Sequence, residues 1–209
     1  MTKQLDLWQS EFGWDYAQRN NNQIEEYDQR LLLRDWSRIL RSADLLSIDS
    51  ILEVGCSIGR NLTALSNLVS GPVQGVEPNE KAVKTAQQRL SDRGIIIRRG
   101  TAFDLQFGDA SVDMVFTAGV LIHIHPEDLK KATDEIVRVA KNYVVCIEYF
   151  SHEPVEISYR GMNGFLFKRD FGRWYMENYP ELKVRDYGFF WKPIDSCDNC
   201  NWWLFEVRK

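Results

Sequence analysis

The sequence predicts an α/β fold: parallel strands with helices on both faces, a terminal antiparallel hairpin, and an N-terminal helical extension. Three observations predict it. From residue 51 onward, short apolar runs alternate with amphipathic helical stretches, the order that builds a parallel sheet from crossover units. Near the end, "KVRDYGFFW" (183–191) and "WWLFEVR" (202–208) follow one another with no helix between them, so they pair antiparallel. Ahead of the sheet, Ile24, Tyr27, Leu31, Trp36 and Ile39 recur at roughly helical intervals between residues 23 and 46.

The elements follow in order. "ILEVG" (51–55) is a strand, and "RNLTALSNLV" (60–69) carries Leu62, Leu65 and Val69 on one helical face. "PVQGVE" (72–77) is a second strand. The helix after it places Ala82, Val83, Ala86 and Leu90 at helical spacing, and Gly94 ends it. "IIIRR" (95–99) is a third strand and "VDMVFTAG" (112–119) a fourth. Pro126 suits the first turn of a helix over 126–140, whose buried stripe is Leu129, Ala132, Ile136 and Val139. "YVVCIEYF" (143–150) is the fifth strand, and Phe171, Trp174 and Tyr175 lie at helical spacing as core. No linker or repeat divides the chain, so residues 1–209 read as one domain.

Composition narrows the function. Apolar residues make up 44%, enough for a packed core. A net charge of −4 offers no basic excess for nucleic-acid phosphates. No run approaches the ~18 apolar residues of a membrane span, and the N-terminus has no apolar signal core. Four scattered cysteines suit a cytoplasmic protein with reduced thiols. Cys197 and Cys200 form one C-x-x-C without the further ligands of a structural zinc, so they read as a turn between the hairpin strands, and no metal site is expected.

The turn "GCSIGR" (55–60) carries the functional signal. Unpaired N–H groups at a helix start bind ligands. Gly55 permits a tight turn and Gly59 close packing of the helix on the strand. A pyrophosphate-binding turn needs G-x-G-x-x-G; here Ser57 and Arg60 stand at the second and third glycine positions. The turn therefore suits an adenosine ligand without phosphates. Glu77 ends the second strand, 18 residues beyond Gly59, where an acid accepts bonds from both ribose hydroxyls. Glu53, at the end of the first strand, meets either a cation or amine of the ligand, or nearby N–H groups.

"EVGCSIG", "GVEPN" and "DMVFTAGVLIHI", in that order, resemble the motifs of class I S-adenosylmethionine-dependent methyltransferases, whose Rossmann-like sheet has the same order of five strands and a hairpin. "EFGWDYAQRN", "VFTAGVLIHIHPEDL", "EYFSHEPVEISYRG", "LFKRDF" and "YPELKVRDYGFFW" are similar to methylases associated with pseudaminic acid biosynthesis. The resemblance implies S-adenosylmethionine (SAM) as cofactor and a small polar acceptor, a sugar or nonulosonic acid-like compound. It also implies an extension or lid over 1–48, a core over 49–209, and a substrate segment at about 150–180. Gly55 and Gly59 fall beside the methionine part of the cofactor, and Glu77 with Pro78 at the ribose. "RGTAFDLQF" falls along the adenine. Thr101 stands where many relatives carry an Asp that bonds the adenine amino group, so Asp104 or the backbone of Ala102 and Phe103 takes that contact. Ala118 and Gly119 fall under the sulfur, Tyr16 and Arg19 at the cofactor carboxylate, and Trp14 covers it.

At the acceptor end, His123 follows the fourth strand on the ligand-binding edge, as a general base or as a packed or capping residue. His125 before Pro126 reads as a helix cap, and His152 ranks below His123. Glu148 and Tyr149 end the fifth strand. The resemblance implies that Tyr159 and Arg160 act on substrate. Arg160, with Lys168 and Arg169, would clamp an anion; otherwise these are charges of a solvated loop. A macromolecular acceptor, a carboxylate acceptor and a non-catalytic cofactor-binding module are the competing readings. The acceptor atom and the oligomeric state stay open.

Overall fold

Thr2 opens the first helix: its hydroxyl accepts the Leu5 N–H at 3.2 Å, and α1 runs Lys3–Gln9. Helices α2 (Glu11–Asn21) and α3 (Glu26–Leu40) follow in this computed structural model, which describes residues 2–21 and 26–208. Ile24, and the side chain of Tyr27, in the expected stripe lie outside that description. The stripe itself is real further on: Leu32, Trp36, Ile39 and Leu40 are buried on the sheet. The expected extension to residue 46 is cut short at Leu40, because Asp44 caps a separate short turn, Leu45–Ser47, through the Leu46 N–H at 3.1 Å.

The sheet strands are β1 (Ile51–Val54), β2 (Val73–Glu77), β3 (Ile96–Arg99), β4 (Val112–Ala118) and β5 (Ala140–Glu148). A two-stranded pair, β6 (Val155–Glu156) with β7 (Phe167–Lys168), stands outside the sheet, and β8 (Leu182–Phe190) and β9 (Cys200–Val207) end the chain. Helices α4 (Arg60–Leu65), α5 (Glu80–Arg89), α6 (Pro126–Val139) and α7 (Phe171–Asn178) cover the two faces. The seven strands lie in the order β3-β2-β1-β4-β5-β9-β8, the first five parallel and β9 antiparallel to both its neighbours. This is the Rossmann-like sheet with a terminal antiparallel pair that the sequence predicts.

The hairpin does not add its strands in chain order. The last strand inserts beside β5, and β8 takes the edge. Burial explains the choice. Trp202, Trp203, Leu204 and Phe205 are an unbroken apolar run that needs cover on both faces, whereas β8 alternates exposed and half-buried residues, as an edge tolerates. Successive β4 residues point to opposite faces. Met114 and Phe116 pack with Trp36, Leu62 and Leu65 under α3, α4 and α5; Val115 packs with Leu129, Ile136, Phe171 and Tyr175 under α6 and α7. Helix α4 stops at Leu65, short of the predicted Val69, which is only partly buried.

Strand order reverses at β1, which lies between β2 and β4. A crevice therefore opens beyond the carboxyl ends of β1, β2, β4 and β5. Among the described residues no helix is long and apolar enough to cross a membrane.

Candidate active site

The end of β1 is tied to β2 by the Gly55 and Cys56 N–H groups, which donate to the Val76 carbonyl at 2.7 and 3.0 Å. Gly55 has φ +79°, and a Cβ there would lie 2.5 Å from Val120 Cγ2. Gly59, at φ +76°, is the residue before α4; the space its Cβ would need holds Leu90 Cδ1. The close neighbour of this glycine is therefore Leu90 at the end of α5, not the strand, and the left-handed φ is what favours glycine here. Ser57 takes a left-handed φ of 48° without being glycine, which points its N–H at Glu77 Oε2, 2.9 Å away.

Glu77 is buried at the tip of β2. Its other oxygen accepts the Asn79 N–H at 2.8 Å. Burial pushes its pKa up to about 7 against the pull of these two N–H groups. Each carboxylate oxygen keeps a second lone pair for a ligand hydroxyl. Glu53 is also buried: Oε1 accepts from Asn61 Nδ2 at 2.7 Å, while Oε2 has no hydrogen-bond partner among the described residues. Burial pushes Glu53 up to about 8; Asn61 opposes the shift and the nearby Glu77 adds to it. The Ser57 hydroxyl is likewise buried without a partner. Two orphaned polar groups and a half-used carboxylate face one crevice. That donor and acceptor set fits an amino-acid-bearing nucleoside.

Because unfolded Glu53 ionises near 4.5 and the folded side chain holds its proton to about 8, unfolding releases a proton throughout that interval. Stability of the ligand-free protein therefore falls as pH rises. His123 shifts the opposite way, but its unfolded imidazole loses its charge as pH rises past 6.5, so its opposing contribution fades there. Denaturant midpoints are expected to drop between pH 6.5 and pH 8, and Glu53→Gln to shrink that drop. An equal drop in the variant would refute the assignment.

Thr101, Ala102 and Phe103 line the cavity after β3. The Thr101 hydroxyl accepts the Phe103 N–H at 3.3 Å and closes the turn. Asp104, expected as an adenine contact, is exposed instead and accepts from Gln106 Nε2 at 2.8 Å. The turn aims it at solvent and leaves Ala102 and Phe103 on the wall. Pro78, Ala118 and Gly119 also line the cavity, as do Tyr16 and Arg19, whose guanidinium lies 5.8 Å over the Tyr16 ring. Trp14, expected as the cover, packs on Ala17, Ile58 and Ala82. Trp8 covers the cavity in its place, 5.2 Å from Tyr16 and 4.6 Å from His123 between ring centres.

His123 sits on a short helical turn, Leu121–His123, whose position rests on Glu148. That carboxylate, fully buried at the end of β5, accepts the N–H groups of Val120, Leu121 and Ile122 at 3.1, 3.0 and 3.3 Å. Burial pushes Glu148 up to about 7, and the three N–H groups pull it back. The sequence reading gave Glu148 no role beyond ending a strand. The signal was present: an acid closing an apolar strand needs donors, and the following crossover turn supplies them.

His123 Nδ1 lies 2.7 Å from the Phe165 carbonyl, which can only accept, so Nδ1 carries the proton of the neutral ring and Nε2 keeps a lone pair. Burial pushes its pKa down to about 4. The ring packs against Tyr159 at 4.9 Å, and Phe12 meets Tyr159 edge-on at 6.0 Å. Tyr159 is set by a two-residue turn. Arg160 and Gly161 both have positive φ, 53° and 79°, and the Tyr159 and Met162 N–H groups donate to each other's carbonyls at 2.8 and 3.0 Å. The Arg160 guanidinium, 5.8 Å over the Tyr159 ring, has no acidic partner among the described residues.

His125 caps α6, its Nδ1 accepting the Glu127 N–H at 3.4 Å, and His152 is exposed beside Glu153. Lys168 lies 5.0 Å over the Tyr149 ring; Arg169 turns to Trp174, 4.6 Å from its ring, and leaves the cavity wall. The loop before β9 forms a far wall that sequence reasoning missed. Tyr149 donates to Asp198 at 2.8 Å, Lys192 pairs with Asp198 at 2.7 Å, and the Cys197 and Cys200 sulfurs stand 3.5 Å apart, unbonded. The cavity measures about 890 Å³, near the upper end of single-ligand pockets and wide enough for two small molecules. Among the described residues no cluster of His, Cys, Asp and Glu could hold a metal ion.

The chain superposes on 1,6-didemethyltoxoflavin-N1-methyltransferase of Burkholderia thailandensis, solved with 1,6-didemethyltoxoflavin and S-adenosylhomocysteine, with a TM-score of 0.72 at 15% identity over 98% of this chain and 88% of that one. It superposes on magnesium protoporphyrin IX methyltransferase of Synechocystis PCC 6803 with bound SAH at 0.70 and 16%, over 98% and 97%. The fold is thus that of these methyltransferases. In sequence, residues 52–147, from β1 to β5, match the family model described as a methyltransferase domain. An uncharacterised methyltransferase of Schizosaccharomyces pombe is 33% identical over 112 residues, 48% of this chain and 40% of its own length. The chain spans less than half the length of the curated relatives it matches.

Proposed function

We propose that this protein is a SAM-dependent methyltransferase that methylates O or N of a small polar metabolite, a sugar or nonulosonic acid-like compound, in the cytoplasm. One observation carries the reading: the glycine turn with buried Glu53 and Glu77 opens into the cavity that His123 also lines, with Nδ1 of that ring tied to Phe165 and Nε2 left to accept. Gly55, Gly59, Glu53, Glu77, Pro78, Ala102, Phe103, Ala118 and Gly119 hold the cofactor, with Tyr16 and Arg19 at its carboxylate. When bound, it supplies a methyl group on a sulfonium, open to in-line displacement.

The chain's own residues do the rest. Trp8, Phe12 and Tyr159 exclude water and align the acceptor. His123 Nε2 accepts the hydrogen of a hydroxyl or amine, which favours such acceptors over a carboxylate, whose oxygens would face that lone pair. Arg160 takes an anionic substituent of the substrate. The N-terminal helices act as the lid and the β6–β7 segment as the substrate wall. The solved relatives' substrates do not transfer at 15–16% identity; the sugar-like class rests on the flanking motifs read in the sequence. Incubation with labelled SAM and a panel of hydroxylated acids, sugars and amines, followed by mass analysis, tests it. Methylation of carboxylates alone, or of none of these together with failure to bind SAM, would refute it.

A further inference from the structure

We propose that Asn79 is a positioning residue that couples the ribose-binding acid Glu77 to the N-terminal helices, so that cofactor binding seats Trp8 against His123. The proposal rests on the ribose placement given above. Asn79 is 3% exposed, and every polar group it has is used. Its N–H donates to Glu77 Oε1 at 2.8 Å. Its Oδ1 caps α5 by accepting the Lys81 and Ala82 N–H groups at 3.1 and 3.2 Å. Its Nδ2 donates to the carbonyls of Trp8 and Ser10, 3.0 and 2.9 Å away at the junction of α1 and α2.

Capping α5 requires only an acceptor, which Ser or Asp supplies equally well. The two carbonyls of the N-terminal helices require a side chain that also donates twice from one atom, and the amide of Asn does both. The junction is built around this contact: at Gly13, a Cβ would collide with the Trp8 carbonyl and stand 3.1 Å from Asn79 Nδ2. The same Trp8 whose carbonyl is held packs its ring on His123. A second tie, Gln4 Nε2 to the Gly164 carbonyl at 2.8 Å, fastens α1 to the segment that carries Tyr159. The path from Glu77 to the N-terminal helices thus runs through the single residue Asn79 and is continuous in hydrogen bonds; its last step, the Trp8 ring on His123, is a packing contact. Ribose hydroxyls bound to Glu77 fix its carboxylate, the carboxylate fixes the Asn79 backbone, and the Asn79 amide fixes the helices. Acceptor binding after cofactor binding follows from this order of assembly.

Amide hydrogen exchange over residues 3–21, with and without S-adenosylhomocysteine, tests the coupling, with calorimetry on the same samples. In the wild type the ligand is expected to slow exchange there about tenfold or more, the scale of two hydrogen bonds. Asn79→Ser keeps the cap and replaces the two amide donors with one hydroxyl on a shorter side chain, which cannot hold both carbonyls; it is expected to bind the ligand and show no protection of residues 3–21. Asn79→Asp, which also caps, is expected to behave the same way and covers the case in which the serine variant folds poorly. Wild-type protection in a variant that binds ligand would overturn the coupling, as would a wild type that binds without protecting these helices. If Asn79 only capped α5, both variants would keep full protection. No binding of S-adenosylhomocysteine by the wild type would instead overturn the cofactor reading itself, and the coupling with it.

Discussion

Glu77→Ala is expected to weaken SAM binding by ~1–3 kcal/mol, roughly fivefold to 150-fold in Kd, measured by calorimetry. The ribose hydroxyls lose their acceptor, and the Ser57 and Asn79 N–H groups lose theirs at the same time. The second loss makes the carboxylate hard to replace. Glu77→Gln keeps the shape, but an amide turns a donor toward one of two N–H groups that both need an acceptor. It is expected to bind nearly as weakly as the alanine variant. Full affinity in Glu77→Gln would mean that shape alone matters, and full affinity in Glu77→Ala would remove the ribose from this place.

His123→Ala is expected to lower turnover by ~10²-fold or more while leaving SAM affinity within a few fold, with the acceptor found in the methylation screen. Nε2 is the only ring nitrogen left to accept the substrate hydrogen once Nδ1 is held by Phe165. The pH profile separates this role from others. Burial beside Trp8 and Tyr159 keeps the ring neutral down to about pH 4, against the upward pull of the Phe165 carbonyl. At saturating cofactor, turnover should therefore show no acid limb from His123 near 6.5. Undiminished turnover in the variant would assign the acceptor to a group that needs no base.

Much of the site was legible because its signals are local. Gly55 announced a tight turn, Glu77 closed a strand at a fixed distance from the turn, and Pro126 after His125 marked a helix start with its cap, whereas Gly59 faces the end of α5 and not the expected strand. The turn of Arg160 and Gly161 was also readable, since glycine in a two-residue connection signals a hairpin, yet it passed as loop. Trp8 was overlooked in favour of Trp14. Both lie on amphipathic helices, and only the packing of those helices says which ring meets the cavity.

The sequence by itself determined the alternation of strand and helix, the glycine turn, the carboxylates at the strand tips and the likeness to methyltransferases, because each depends on residues within a few positions of one another. Tertiary structure alone decided which strand lies beside β5, which way His123 carries its proton, and what Asn79 holds. Those outcomes depend on partners distant in the chain: Phe165 lies 42 residues from His123, and Trp8 lies 71 from Asn79. A residue's charge, tautomer and reach are set by the groups that fold against it, and no local spacing records them.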